Sequence, residues 1–112
     1  MPKPRTRSYS GYAIEALALL GKMVRCARTE RRMTTQELAE RAGISRDMLH
    51  RIEKGDPRCE IGVVFEVATI VGITLFEPES IALQGRSRSV DDKLALLPKA
   101  VRQTKTEVKD DF

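Results

Sequence analysis

Apolar residues recur at steps of three and four along several segments of the chain, which is the spacing of α-helices with one buried face. The first such segment predicts a helix over residues 12–32, with Ser10 as a candidate N-cap. Its apolar face contains Ile14, Leu17, Leu20 and Val24. A long helix near the start of the chain is therefore the first predicted element.

A short helix is predicted next, beginning at Thr34 and ending before Gly43. Thr34 and Glu37 have the spacing of a capping box, in which each side chain accepts a hydrogen bond from the other residue's backbone N–H. Gly43 stands where a left-handed residue would end the helix. The segment therefore contains both a start and a stop signal for one short helix.

A second short helix follows at once, with Ser45 as its N-cap and Gly55 as its end. Leu49 and Ile52 lie three residues apart and are expected to face inward. Two short helices around a tight turn form a helix-turn-helix. The side chains expected on the outer side of the second helix are Arg46, Asp47, His50 and Arg51.

Residues 60–72 predict a fourth helix, although their valine and isoleucine content would also suit a strand. The helix is favoured because the apolar residues step by three and four and Gly72 stands at a plausible cap. Those apolar residues are Ile61, Val64, Val67, Ala68 and Val71. Further apolar residues around Pro78 predict a short fifth helix.

The composition changes at Gly85, where the sequence G-R-S-R-S predicts a linker. A short helix is predicted over residues 90–97, interrupted by Pro98, and the rest of the chain is polar enough to stay unfolded alone. The predicted fold class is all-α. Its three parts are a basic N-terminal arm (residues 1–11), a five-helix helix-turn-helix domain (residues 12–84), and a linker, short helix and C-terminal tail (residues 85–112).

Residues 20–73 resemble the XRE family, the DNA-binding domains of the phage-repressor and Cro type. The resemblance rests on the spacing A-x-x-x-G-x-S, which ends at Ser45, and on Arg28 and Glu53. In that family the arginine and the glutamate commonly form a buried ion pair, and this assignment is favoured over an exposed Arg28 at a helix end. The first helix is longer than the family needs, so its turns before Leu20 are expected to pack outside the core, for example on a second subunit.

The charge distribution agrees with a nucleic-acid partner. The chain has a net charge of +4, and residues 1–60 hold 13 of its 20 lysines and arginines but only 8 of its 16 acidic residues. The positive excess therefore lies entirely in the half that holds the helix-turn-helix. The basic arm could enter a minor groove, or it could be a solvated tail.

The sequence gives no sign of catalytic or membrane chemistry. Cys26 and Cys59 are isolated, and His50 does not complete a zinc site with them in any common spacing. No glycine-rich phosphate loop is present, and 18 apolar residues never run together. We expect no metal, no cofactor, no enzymatic activity and no membrane span, in a cytoplasmic protein with reduced thiols.

The outer side of the second short helix would enter the major groove of double-stranded DNA, where base edges distinguish all four base pairs. Arg46 and Arg51 are candidates for paired hydrogen bonds to guanine. Asp47 could accept from cytosine N4, but holding Arg51 in place four residues on is favoured. His50 could contact a base edge or a phosphate, or be incidental.

A second set of side chains lies at helix ends and in the loop after the helix-turn-helix, where phosphate contacts are usual. These candidates are Thr34, Thr35, Ser45, Lys54 and Arg58. The resembled family often has glutamine where this chain has Thr35, so bracing of the second helix by that amide is not expected. A homodimer on an inverted repeat would double the few base contacts of one small domain.

A set of longer sequence motifs resembles those of the HipB-like antitoxins, which repress their own operon and hold a HipA-like kinase toxin inactive. It consists of G-I-S-R-x-x-L-x-R-I-E-x-G-D-P, then I-G-V-V-F-x-V-x-x-x-V-G, and a terminal D-D-F. The resemblance implies a toxin partner, for which Val108 and Phe112 in the tail are the candidate contacts. The alternatives are a solitary XRE-type regulator or phage-type repressor, and a protein-interaction module on the same fold.

Overall fold

The computed structural model describes residues 7–101, which contain five α-helices and no strand. The all-α prediction is therefore confirmed. The helices are α1 (Gly11–Glu30), α2 (Thr35–Ala42), α3 (Arg46–Glu53), α4 (Ile61–Ile70) and α5 (Ser80–Leu96). The chain divides into two compact units, with the boundary after Leu75, so that α1–α4 belong to the first unit and α5 to the second.

The core of the first unit is aliphatic and draws on all four of its helices. Its largest fully buried side chains are Val24, Leu38, Leu49, Val67 and Val71. Val24, Leu49, Val67 and Val71 belong to the apolar faces that the helical periodicity predicts, and the fourth helix is a helix rather than a strand. Two other residues of those predicted faces, Ile14 and Ile61, are instead 43% and 74% exposed. The buried residues of α2 and α3 lie on the sides that face the core, so the polar sides of both helices are exposed to solvent.

The backbone of helix α1 lies in close contact with the backbone at the end of α3. An added Cβ at Gly21 would lie 2.5 Å from the carbonyl oxygen of Glu53, and one at Gly55 would lie 2.8 Å from the Cα of Ala18. Only a residue without a side chain allows two backbones to come this close. Helix α1 therefore fixes the position of α3, the second helix of the helix-turn-helix.

Helices α1–α4 all end on a residue with positive φ that follows the last turn. In three of them this residue is glycine, namely Gly43, Gly55 and Gly72, with φ of 69°, 77° and 83°. Helix α1 instead ends with Arg32 at φ 57°. A left-handed conformation costs a residue with a Cβ roughly 1–2 kcal/mol, so the backbone conformation of Arg32 is unfavourable for an arginine.

The predicted linker at residues 85–89 is wrong, and so is the short helix predicted to begin at residue 90. Helix α5 runs without a break from Ser80 to Leu96. Glycine in a helix interior costs only about 1 kcal/mol relative to alanine, so Gly85 weakens the helix without ending it. The fifth helix also begins after Pro78 rather than around it, since proline suits the region before a helix but not its interior.

The end of α5 agrees with the sequence. Leu97, the residue before Pro98, is extended at ψ 155°, as expected where the proline ring excludes the helical conformation. Unlike the other helices, α5 contains no buried residue. The tail candidates Val108 and Phe112, and residues 1–6 of the N-terminal arm, lie outside the described residues.

Candidate nucleic-acid interface

The N-terminus of α2 is closed by the predicted capping box. The Glu37 backbone N–H donates to Thr34 Oγ1 at 3.0 Å, and the Thr34 backbone N–H donates to Glu37 Oε1 at 2.9 Å. The backbone hydrogen bond from Thr34 is the main reason that the pKa of the Glu37 carboxyl lies below its usual value. The box therefore favours an ionised glutamate, and it fixes where α2 begins.

The turn between α2 and α3 is built as the sequence predicts. Gly43 is left-handed, and the Ile44 N–H donates to the Ala39 carbonyl at 2.9 Å, which satisfies a free carbonyl at the end of α2. Ser45 then caps α3, because its hydroxyl accepts from the Met48 N–H at 3.0 Å. A left-handed glycine and two local hydrogen bonds thus set the direction in which α3 leaves the turn.

An ion pair between Arg28 and Glu53 fixes α3 on the side that faces α1. The Arg28 Nε and Nη2 atoms donate to Glu53 Oε2 at 2.8 Å and Oε1 at 3.2 Å, and Nη1 donates to the Met33 carbonyl at 2.9 Å. The two side chains are 13% and 7% exposed. The favoured assignment of Arg28 is therefore the one found, and one guanidinium ties together α1, the turn before α2 and the end of α3.

The four residues predicted on the outer side of α3 are all exposed. Arg51 Nη2 lies 2.9 Å from Asp47 Oδ2, one helical turn earlier, so the carboxylate orients this guanidinium. Arg46 makes no hydrogen bond or ion pair with the other residues between 7 and 101. Within the described part of the chain, the face therefore presents one unpaired guanidinium at the start of α3 and one held in place in its second turn.

A pocket of about 220 Å³, lined by polar and charged residues and called here the polar pocket, opens where α1, the start of α2 and the end of α3 meet. It brings together two of the predicted phosphate residues, Thr35 and Lys54, and adds His50 from the outer side of α3. It also includes Arg25, which the sequence analysis missed. The signal was present, because Arg25 lies three residues before Arg28 and so shares its side of α1. The remaining lining residues, Arg28 and Glu53, pair with each other, and the other four can donate hydrogen bonds into one small space.

Arg58, another predicted phosphate residue, is already paired. Its Nε and Nη2 atoms donate to Asp56 Oδ1 at 3.1 Å and Oδ2 at 3.0 Å, and its backbone N–H donates to Oδ1 at 2.9 Å. The side-chain hydrogen bonds from Arg58 lower the pKa of the Asp56 carboxyl to about 2. A phosphate would therefore compete with this carboxylate for Arg58, whereas Lys54 is in no ion pair among the described residues.

The two cysteines are free, with Cys26 exposed and Cys59 partly buried. Burial raises the pKa of the Cys59 thiol, which favours its neutral form. Within residues 7–101, no three cysteine, histidine or acidic side chains are grouped so that they could hold a metal ion. Over the same residues, every helix is too short or too polar to cross a membrane.

A family model described as a helix-turn-helix domain matches residues 19–76, which is more than half of the chain. The chain belongs to this helix-turn-helix family. The matched segment contains α1 from Leu19 onward together with α2, α3 and α4, and it agrees closely with the 20–73 segment that resembles the XRE and Cro type. Helix-turn-helix domains of this kind are DNA-binding parts of regulators and are typically not enzymes. A search of curated proteins found no match.

Proposed function

We propose that the protein is a sequence-specific DNA-binding repressor that places the outer side of α3 in the major groove. The observation that supports this best is the exposed pair Arg46 and Arg51 on a helix that is clamped from behind by the buried ion pair of Arg28 and Glu53. A base contact requires a helix held at a defined position in the groove, because hydrogen bonds weaken steeply with poor geometry. The clamp supplies that position.

Arg46 is proposed as the principal base contact. It stands in the first turn of α3, has no partner to break within the described chain, and can donate two parallel hydrogen bonds to guanine O6 and N7. Arg51 is a second candidate, with Asp47 holding its guanidinium. Asp47 and His50 are proposed as minor contributors to base choice, since the first is engaged by Arg51 and the second lines the polar pocket.

The polar pocket is proposed to hold a phosphate of the DNA backbone beside the groove. Lys54, Arg25 and His50 can donate to a phosphate oxygen there, and Thr35 adds a hydroxyl at the start of α2, where the helix dipole favours an anion. Thr34 and Ser45 cap the two helices and are proposed to support the same backbone contacts. These contacts set the position of α3 without selecting a base sequence.

The proposed assembly is a homodimer on an inverted repeat. One α3 offers few base contacts, and a two-fold dimer doubles them at half-sites about one helical turn apart. The HipB-like sequence motifs further support an antitoxin that represses its own operon and binds a HipA-like kinase toxin. The alternatives remain a solitary regulator or phage-type repressor, and an interaction module without DNA.

Selection of bound DNA from a random pool, followed by affinity measurements at several salt concentrations, tests the proposal. We expect an inverted repeat, and an affinity that falls steeply as salt rises because phosphate contacts release counterions. Arg46→Ala should relax base choice at one position of each half-site. Lys54→Ala should weaken all sequences alike and reduce the salt slope by about 1.

Arg88→Ala is the matched control, because it removes an exposed arginine of α5 from the second unit. It should change neither base choice nor, by more than a small amount, the salt slope. If Lys54→Ala altered base preference, the two contact roles would be assigned wrongly. A DNA affinity that did not change with salt concentration would favour the interaction module over the DNA-binding protein.

The proposed toxin contact has its own experiment. The full chain and a version ending before Thr104 are mixed with a HipA-like kinase, and binding is measured by calorimetry. Loss of binding in the shortened chain, with DNA affinity kept, supports the tail as the contact. Equal affinity of both chains counts against Val108 and Phe112, and binding by neither favours the solitary regulator.

A further inference from the structure

Helix α1 has a second apolar stripe that faces away from the core. It consists of Tyr12, Ala16, Leu19, Met23 and Cys26, all of which are exposed. The exposed fraction is 85% for Tyr12, 59% for Leu19 and 43% for Met23. The core face of the same helix lies elsewhere on its circumference, with Gly21 and Val24 at its centre. The helix is therefore apolar on two sides, and only one of them is buried among residues 7–101.

The spacing of this stripe is that of helix pairing. Its members are separated by four, three, four and three residues, a mean of 3.5, which keeps the side chains of a helix facing a partner helix along its length. Tyr12 and Ala16 also precede residue 19, where the family match begins. The helix-turn-helix fold therefore does not require the first two turns of the stripe, so they need another explanation.

Two charged residues flank the stripe on its solvent side. Glu15 and Lys22 lie seven residues apart, too far to pair with each other along one helix, and neither forms an ion pair in the described part of the chain. The other flank contains Ala13, Leu20 and Ala27, which have no charge. A partner helix would therefore be oriented by the one flank that carries both signs.

We propose that α1 pairs with α1 of a second copy in antiparallel orientation, with the two-fold axis level with Leu17 and Ala18. In this register Tyr12 lies against the partner's Met23, and Ala16 lies against the partner's Leu19. Glu15 then lies beside the partner's Lys22. Each contact occurs twice because the axis relates the two copies.

A parallel pair does not satisfy the same charges. Flanking residues of parallel helices meet across opposite flanks, so Glu15 would lie beside the partner's Leu20, and Lys22 beside the partner's Ala27. Antiparallel helices bring like flanks together, which matches glutamate with lysine. The charge pattern therefore identifies both the partner, a second copy, and its direction. This inference deepens the proposed function, since it locates a two-fold contact for a dimer that binds an inverted repeat.

Charge exchange tests the proposal without DNA, by sedimentation equilibrium of the full chain. Glu15→Lys and Lys22→Glu should each weaken self-association about tenfold, because two attractive pairs become repulsive. The double variant, or an equal mixture of the two single variants, should recover the wild-type value to within about twofold. Leu19→Lys should weaken association about a hundredfold. Leu94→Lys, an equally exposed leucine of α5, is the control and should leave association unchanged.

Cysteine cross-linking tests the register in a Cys26→Ser background. Tyr12→Cys combined with Met23→Cys should give a disulfide-linked dimer on oxidation. Each variant alone should not, because identical positions are offset by eleven residues, about 16 Å, along the paired helices. Cross-linking by either single variant would overturn the antiparallel register.

The remaining outcomes also decide the matter. A wild-type chain that stays monomeric at the highest measurable concentration overturns the proposal, and so does association that Leu94→Lys weakens and Leu19→Lys does not. Melting curves of Leu19→Lys that match the wild type show that the exposed substitution leaves the fold intact. Salt-dependent binding of a single half-site by Leu19→Lys separates failure of this interface from failure of the proposed DNA binding, which would abolish binding in every variant.

Discussion

The two long helices, α1 with 20 residues and α5 with 17, are supported in opposite ways. Helix α1 places Val24 in the core, presses Gly21 against the backbone of α3 and sends Arg28 to Glu53. Helix α5 buries no residue at all. Short isolated helices are marginal in water, so the buried contacts of α1 maintain that helix, and the intrinsic helix propensity of its residues matters more for α5.

This difference shows what positions α3, the helix proposed to face DNA. The residues that would contact bases are all on α3, but α3 is only eight residues long and its orientation is set by α1. Substitutions on the inner side of α1 should therefore affect both stability and DNA affinity. Substitutions in α5 should affect that helix alone.

The largest expected effect comes from Arg28→Leu. It leaves the Glu53 carboxylate buried without its partner, and breaking a buried pair in this way typically costs about 3–5 kcal/mol. The free energy of unfolding, measured with urea, should fall by that amount. Arg25→Leu makes the same change one turn earlier, at an exposed position, and should cost less than about 0.5 kcal/mol.

Equal stability of the Arg28→Leu and wild-type proteins would show that the ion pair contributes nothing net. In that case the close backbone contact at Gly21 would have to hold α3 alone, and the contrast between the two helices would rest on packing rather than charge.

Gly21→Ala should have the next largest effect. The added Cβ would meet two carbonyl oxygens, those of Glu53 at 2.5 Å and Ile52 at 2.6 Å, so α1 and α3 must move apart. Forcing extra volume into a packed contact typically costs about 1–3 kcal/mol. Gly11→Ala in the first turn of α1, where nothing lies within 4 Å, is the control and should not destabilise the protein. A Gly21→Ala protein as stable as wild type would mean that the contact yields easily.

The sequence predicts the first unit well because its signals are local. The capping box at Thr34, the left-handed Gly43 and the cap at Ser45 each depend on residues within four positions, and the structure contains all three. The ion pair between Arg28 and Glu53 joins residues 25 positions apart, and only the resemblance to a known family pointed to it.

The second unit and the polar pocket were harder to predict. Glycine and serine in G-R-S-R-S are typical of linkers, and no buried face of α5 gave a helical period to outweigh that composition. The spacing of Arg25 and Arg28 places both on one side of α1, but the pocket itself exists only where three helices meet, and the residues of one helix do not reveal that meeting point. Composition fails where a helix has no core face, and periodicity fails where a site joins several elements.

Arg32→Gly should stabilise the protein by a smaller amount. Gly43, Gly55 and Gly72 occupy the equivalent left-handed position at the ends of α2, α3 and α4. Relief of the left-handed arginine should raise the free energy of unfolding by about 1 kcal/mol, less the extra entropy that glycine gives the unfolded chain. Arg31→Gly, at φ −84°, lacks this benefit and should be neutral or destabilising. A loss of stability in Arg32→Gly would show that the arginine side chain makes a contact worth more than the strain.

The smallest expected effect comes from Gly85→Ala, the same chemical change as Gly21→Ala but in α5. An added Cβ at Gly85 meets nothing within 4 Å, so the substitution only removes the cost of glycine in a helix interior, about 1 kcal/mol. Amide hydrogen exchange in α5 should slow by about fivefold, while the exchange and urea unfolding of α1–α4 stay unchanged. Opposite signs for one substitution in two helices would establish that α1 is limited by its packing and α5 by its propensity. Faster exchange in α5 would mean instead that the glycine accommodates a neighbour, and α5 would then have a packed face after all.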